Sequence, residues 1–196
     1  MYQRVARHAN TISWYACGSY NSRMNVLVLG CSLNPGSNSQ ILARDAAEIF
    51  RSLGAAATVI DLRERPLPVC DGDTSDANAQ AIAAAVRSAD AVVFAVPIYN
   101  FDVNAAAKNV VEHVGSEFEG KLIAFMCSAG GSASYMSVMS LANSLMLDFR
   151  CLIVPRFVYS TKQCFRDGKI VSSDVAARVR ALCEEVVRLG RAIAGK

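Results

Sequence analysis

Residues 25–40, NVLVLGCSLNPGSNSQ, carry an apolar run through a loop of glycine, asparagine and hydroxyl side chains into a helix. Val26 to Gly30 reads as a buried parallel strand, because an apolar run with no polar alternation suits a sheet covered on both faces. From Cys31 to Asn38 the residues are small or turn-forming, and Ser37, Asn38 or Ser39 can cap the helix that follows. The first-turn N–H groups of that helix have no internal partners, so the loop is a socket for an anion. Ser32, Asn34, Ser37 and Ser39 can add donors.

The kind of anion follows partly by exclusion. A mononucleotide P-loop needs lysine after its second glycine, and Ser37 stands after Gly36 here. A dinucleotide fingerprint needs glycines two and five positions apart, whereas Gly30 and Gly36 are six apart. A single phosphate monoester is the guest that remains; the competing reading is an empty hydrophilic strand-to-helix turn.

Outward from this stretch the chain alternates. Leu42, Ala46, Ile49 and Leu53 lay one stripe along a helix that Gly54 ends. Thr58 to Leu62 is a second strand. Arg63 to Asn78 is a long irregular loop, the candidate lid for a site. Ala79, Ile82, Val86 and Ala89 mark a helix before the third strand, Ala91 to Val96. Pro97 to Asn104, PIYNFDVN, is a loop. A helix runs from Ala105 to Val114, a fourth strand from Leu122 to Cys127, and a glycine and serine loop, SAGGSAS, from Ser128 to Ser134. The next helix carries the stripe Tyr135, Val138, Met139, Ala142, Leu145, Met146 and Phe149, read as core or subunit contact. Cys151 to Val154 is a fifth strand, Phe165 to Val171 a hairpin or turn centred on Asp167-Gly168, and a long amphipathic helix capped by Ser173 or Asp174 closes the chain. Five strands separated by helices predict a doubly wound α/β domain with a parallel five-stranded sheet. The loops after its first, third and fourth strands emerge at one edge, where such sheets bind ligands.

Composition sets the outer bounds. A chain of 196 residues, 53% apolar and 19% charged, is long enough for one domain with a real core. No apolar run reaches the roughly 18 residues needed to cross a bilayer, so no membrane span is expected. Seven cysteines, odd in number and without a C-x-x-C pair, fit reduced thiols and a cytoplasmic setting. With two histidines, His8 and His113, no metal site is expected. Arg4, Arg7 and Arg23 fall in residues 1–23 without an acid, and the other 17 basic groups match the 17 acidic ones. The domain from Met24 to the C-terminus is therefore electrically balanced and lacks the basic stripe of a nucleic-acid binder. Residues 1–23 stay open between an over-long start, a disordered arm and a transit peptide, with the first two favoured.

The stretch Pro97 to His113, PIYNFDVNAAAKNVVEH, resembles the P-E-Y-N-G-S-I-P-x-x-L-K-N-A-I-D-W segment of the NADPH-dependent FMN reductase family, flavodoxin-like proteins. Pro97, Tyr99, Asn100, Lys108 and Asn109 match it. The first loop is similar to the family's G-S-x-R-x-x-S-x-N at Ser32 and Ser37. Asp61-Leu62 with Leu67-Pro68 looks like its D-L-x-x-L-P, and Phe165 with Asp167-Gly168 like its late F-x-x-x-G turn. The resemblance implies the flavodoxin-like strand order 2-1-3-4-5. It also implies bound FMN, with Ser32, Asn34, Ser37, Asn38 and Ser39 at the phosphate. Pro97, Ile98, Tyr99 and Asn100 would lie along the ring, and Ser128, Gly130 and Gly131 on its pyrimidine side. Asn34 stands where the family has a phosphate-binding arginine. Phe101 replaces a glycine and is expected to narrow the place where a second substrate stacks.

The implied activity is hydride transfer from NADPH or NADH to FMN and on to a second acceptor such as free flavin, a quinone or an azo compound. Such chemistry belongs to the cofactor and demands no catalytic side chain from the protein. The competing reading is a non-enzymatic electron carrier or phosphate-ligand module, for which a charged docking face is wanted and none is visible. Cys31 and Cys127 read as structural filling, and Ser132 lacks the full nucleophile elbow. An open upper face on a single doubly wound domain leads to the expectation of a homodimer or homotetramer.

Overall fold

The computed structural model describes residues 23–73 and 75–194, so the readings for residues 1–22 lie outside the described residues. In chain order the elements are β1 (Asn25–Gly30), α1 (Asn38–Ser52), β2 (Ala56–Asp61), α2 (Ala77–Ser88), β3 (Ala91–Tyr99), β4 (Asp102–Val103) and α3 (Ala105–Val114). Then follow β5 (Leu122–Ala129), α4 (Met139–Phe149), β6 (Leu152–Ile153), β7 (Val158–Thr161), the short pair β8 (Phe165–Arg166) and β9 (Lys169–Ile170), and α5 (Ser173–Ile193).

The main sheet runs β2-β1-β3-β5-β6, with these neighbours parallel. With the short β4 set aside, this is the expected order 2-1-3-4-5, and the direction of winding reverses between β1 and β3. The continuous apolar character of the strands follows from burial on both faces. Leu27 and Leu29 of β1 and Phe94 of β3 join Phe125 in the layer against α2, α3 and α4, whereas Val26, Val28 and Val93 join Leu42 and Val179 in the layer against α1 and α5.

Two strands depart furthest from the sequence reading, each for a backbone reason. β3 does not stop at Val96 but continues through Pro97 to Tyr99. β1 ends opposite Ala95, and beyond that point the side of β3 it leaves is taken up by the short returning strand β4 at Ile98 and Tyr99. On that side the Pro97 carbonyl accepts the Asn104 N–H at 3.2 Å, and the N–H that proline lacks is not missed. The fifth strand is broken. β6 pairs with Leu122 and Ile123 at the start of β5, and β7 resumes on Met126 to Ala129 at its end. Pro155–Phe157 interrupts the two halves, and only the first half was legible as Cys151–Val154.

Helix ends need smaller corrections. Ser37 caps α1, its side chain accepting from the Ser39 N–H. The cap of α5 is Ser172, one residue before the two expected, accepting from the Val175 N–H. α4 begins at Met139 rather than near Tyr135, because residues 134–138 form successive turns closed by Ser137 N–H to Ser134 O and Met139 N–H to Met136 O. Of the proposed α4 stripe, Val138, Ala142 and Leu145 are buried, while Tyr135 and Met146 are exposed.

Candidate functional site

The first loop is shaped by its own polar side chains. The Asn34 carbonyl accepts the Ser37 N–H at 3.1 Å, and its Oδ1 accepts the Gly36 N–H at 3.0 Å. Ser32 Oγ, fully buried, accepts the Asn34 N–H at 3.2 Å. Ser37 Oγ accepts the Ser39 N–H at 3.2 Å and shares a hydrogen bond with Ser39 Oγ at 2.8 Å. These contacts stop the turn from collapsing into α1 and leave other first-turn N–H groups of the helix without intrahelical acceptors.

Beneath the loop lies Gln40, 3% exposed. Its Nε2 donates to the Gly30 carbonyl at 3.0 Å and to Asp61 Oδ1 at 2.9 Å, tying the end of β1 to the end of β2. Asp61 also accepts from the Arg63 N–H and side chain. Burial alone would raise the Asp61 pKa, but the hydrogen bonds and charge of Arg63, helped by Arg44, hold it below the usual carboxylate range. Arg63 Nη1 then reaches the Pro35 carbonyl at 3.1 Å, so the loop tip is anchored from β2 as well.

At the end of β3 the chain reverses in a two-residue hairpin. Ile98 pairs with Val103 and Tyr99 with Asp102, and Asn100 and Phe101 sit at φ 51° and 62°. Both central residues at positive φ mark a type I′ turn, which asparagine tolerates and phenylalanine does not favour. Phe101 is 70% exposed and is not among the residues that line the cleft. Tyr99 is 51% exposed at the rim and is not a core tyrosine. Behind it, Asn104 Nδ2 donates to the Cys31 carbonyl at 2.7 Å, joining the start of α3 to the first loop.

The loop after β5 is held from the broken fifth strand. The Tyr159 hydroxyl donates to the Gly131 carbonyl and shares a 2.8 Å hydrogen bond with Ser134 Oγ, while its ring packs on Tyr135. At Gly130 an added Cβ would meet nothing within 4 Å, so a flat ligand can approach the main chain there.

These segments converge on one cleft of about 880 Å³. Residues 34–38 and Ile41 with Arg44 form its first wall, residues 97–100 its base, and Ser128 to Gly130 the adjoining side. Among the residues singled out from sequence, Asn34, Ser37, Asn38, Pro97, Ile98, Tyr99, Asn100, Ser128 and Gly130 line the cleft. Ser32 and Ser39 stand one layer behind, buried against the loop they shape, and Gly131 lies beyond the lining.

The sequence reading missed the far wall, made of Lys162 and residues 165–168. Phe165 with Asp167-Gly168 had signalled a turn but not a place in the site. The spacing of Ser37, Ile41 and Arg44, four then three, also puts Arg44 on the cleft-facing side of α1. The Arg63–Asn78 segment, the candidate lid, is tied to α3. Cys70 N–H donates to Asn109 Oδ1, and the Pro68 carbonyl accepts from Asn109 Nδ2 at 2.7 Å, with His113 Nε2 2.9 Å away. None of its described residues lines the cleft.

Burial pushes the Cys31 thiol up, and that of Cys127 to about 12, so neither presents a thiolate at neutral pH. Among the described residues no helix is long and apolar enough to cross a membrane.

The model of the family described as NADPH-dependent FMN reductase matches residues 24–164. The chain belongs to that family. The NADPH-dependent FMN reductases are flavin-linked oxidoreductases, which makes FMN and a nicotinamide nucleotide the cofactors of this chain. It is similar to an NAD(P)H-dependent FAD/FMN reductase of Geobacillus thermodenitrificans (strain NG80-2), 24% identical over 136 residues that cover 67% of this chain and 74% of that protein. It also resembles an NADPH azoreductase of Bacillus sp. (strain OY1-2), 22% identical over 151 residues covering 75% and 82% of the two chains. Among solved structures, an apo NADH:FMN oxidoreductase superposes with a TM-score of 0.73 at 17% identity, covering 83% of this chain and 88% of that one. That likeness speaks for the flavodoxin-like fold alone.

Proposed function

We propose that the cleft holds one FMN, with its phosphate at Asn34, Ser37 and Asn38 backed by Ser32 and Ser39. The ring would lie along Pro97, Ile98, Tyr99 and Asn100, its pyrimidine side toward Ser128, Gly130 and Gly131. The observation that carries this reading is the meeting of three loops from different parallel strands in a single cleft beside the reversal of winding. The parts suit such a ligand: a helix N-terminus with free donors for a phosphate at one end, and main chain open to a planar edge at Gly130.

FMN held by these residues would supply the hydride-transfer chemistry that links NADPH or NADH to a second acceptor: free flavin, a quinone or an azo compound. The protein's residues bind and orient. Asn34 and Ser37 fix the loop, Tyr99 and Asn100 would stand beside the ring, and Tyr159 holds the loop around Gly130 in register. No side-chain acid, base or nucleophile is required for the transfer.

Exposed apolar side chains at Leu33, Tyr99, Phe101 and Met136 favour a second subunit roofing the cleft in a homodimer or homotetramer. The buried reduced thiols favour a cytoplasmic setting. Purified protein incubated with FMN and desalted is expected to keep flavin absorbance and to oxidise NADPH or NADH when a quinone, an azo dye or free flavin is added. Failure to retain or bind any FMN would refute the reading, and a flavin-loaded protein that neither nucleotide reduces would make it a carrier.

A further inference from the structure

A phosphate monoester near neutral pH carries roughly 1.5 to 2 negative charges, and a helix N-terminus offers only about half a positive one. The first loop adds no cation, since residues 30–40 contain neither lysine nor arginine. Arg63 touches this loop at the Pro35 carbonyl, but its guanidinium is engaged by both carboxylate oxygens of Asp61. On the reading that the cleft binds FMN, the charge has to come from elsewhere.

Arg44, Lys162 and Arg166 all line the cleft. Among the described residues none of the three has its side chain in a hydrogen bond or ion pair, although the charge of Arg44 is felt at Asp61, whereas Arg63, Arg87, Arg150 and Arg188 are each bonded to a carboxylate. Arg44 follows Ser37 by seven residues on the same face of α1, about 10 Å along the axis. Helical side chains lean toward the N-terminus, which brings its guanidinium back along that face toward the capping turn.

Lys162 and Arg166 come from the opposite wall. Lys162 opens the turn after β7, and Arg166 ends β8, whose partner β9 is joined to it through Asp167 at φ 49° and Gly168 at φ 72°. That hairpin is not adrift, because Phe165 and Ile170 pack against the core layer of α1 and α5. Asp167 also lines the cleft and opposes the cations, so the net lining charge is two positive.

We infer that Arg44, Lys162 and Arg166 together supply the positive charge for the flavin phosphate that the first loop lacks, making the phosphate the part of the ligand that this cleft selects. The cations line the cleft from both walls, so affinity for FMN over riboflavin depends on residues outside the loop itself.

The test is titration of flavin-stripped protein with FMN and with riboflavin, followed by quenching of flavin fluorescence. Both Arg44→Gln and the double variant Lys162→Gln/Arg166→Gln are expected to weaken FMN by about ten-fold while riboflavin stays within about two-fold. Lys169→Gln, the same charge change on β9 outside the cleft lining, is expected to leave both unchanged, and added salt is expected to lower the FMN preference of the wild type. If either cleft variant keeps the wild-type ratio of FMN to riboflavin affinity, the inference is overturned. It is equally overturned if FMN binding is unchanged while the KM for NADPH rises relative to NADH, which would assign the cations to the nicotinamide nucleotide. Wild-type protein that binds neither flavin would instead sink the function proposed above.

Discussion

Replacing Gly30 with alanine tests how the phosphate loop is held. Gly30 does not lie in the left-handed region, so the backbone itself admits alanine. The obstacle is Gln40: a Cβ at Gly30 would stand 2.1 Å from its Oε1 and 2.6 Å from its Nε2. Gln40 must then withdraw and give up its bonds to the Gly30 carbonyl and to Asp61. A bond to a neutral carbonyl is worth about 1 kcal/mol and one to a carboxylate about 2, so roughly 3 kcal/mol is lost. Restricting the unfolded chain returns about 0.5 kcal/mol, leaving a net cost of about 2.5. For a chain of this length that is a fall in Tm of roughly 5–10 °C. Urea denaturation followed by circular dichroism, run on Gly30→Ala, Gln40→Ala and the double variant, closes a cycle. With Gln40 already truncated, the new methyl group has room, and Gly30→Ala is expected to cost less than about 0.5 kcal/mol. An equal cost in both backgrounds would refute the steric account.

Three further outcomes follow from the geometry. Tyr159→Phe removes the hydroxyl that holds Gly131 and Ser134, and is expected to cost about 1 kcal/mol in stability and to weaken FMN binding measured by fluorescence. Phe101→Gly relieves a side chain at φ 62° that is mostly solvent-exposed, so urea denaturation is expected to show no loss and a gain of up to about 1 kcal/mol; a clear loss would mean that the ring contributes packing. Asp61 has a folded pKa below its unfolded value. Its stabilisation is therefore complete above the unfolded pKa and lost as pH falls through the folded one. Asp61→Asn is expected to be less stable at pH 7 but to lose less further stability between about pH 4 and 2, as measured by acid titration of the circular dichroism signal.

What was legible in the sequence is what local chemistry dictates. Val26 to Leu29 reads as a strand covered on both faces and Ser37 sits where a cap is needed, so the first loop could be read directly, while its convergence with the loops of Asn100 and Gly130 followed from the order of the strands and the family resemblance. The continuation of β3 through Pro97 could not, since it depends on β1 ending opposite Ala95 and freeing one side of the ladder. β7 was hidden for a similar reason. Val158 to Thr161 forms a strand only because β5 extends to Ala129 and offers it a partner after the interruption at Pro155. The far wall of the cleft depends on that same resumption, and Lys162 and Arg166 went unread with it. The place of the Arg63–Asn78 segment could not be read either: its length and prolines speak of a loop, while Asn109 and His113, some forty residues away in the chain, hold it.

The divided fifth strand also bears on the solubility of the nascent protein. As the outermost member of the sheet, an unbroken strand from Leu152 to Thr161 would offer a long row of unpaired amides to any other polypeptide. Two short pieces separated by a proline cannot template such growth. At the opposite margin Arg51 Nη2 occupies the Ala57 carbonyl at 2.9 Å. Both borders of this sheet are thereby blunted against fibrillar association.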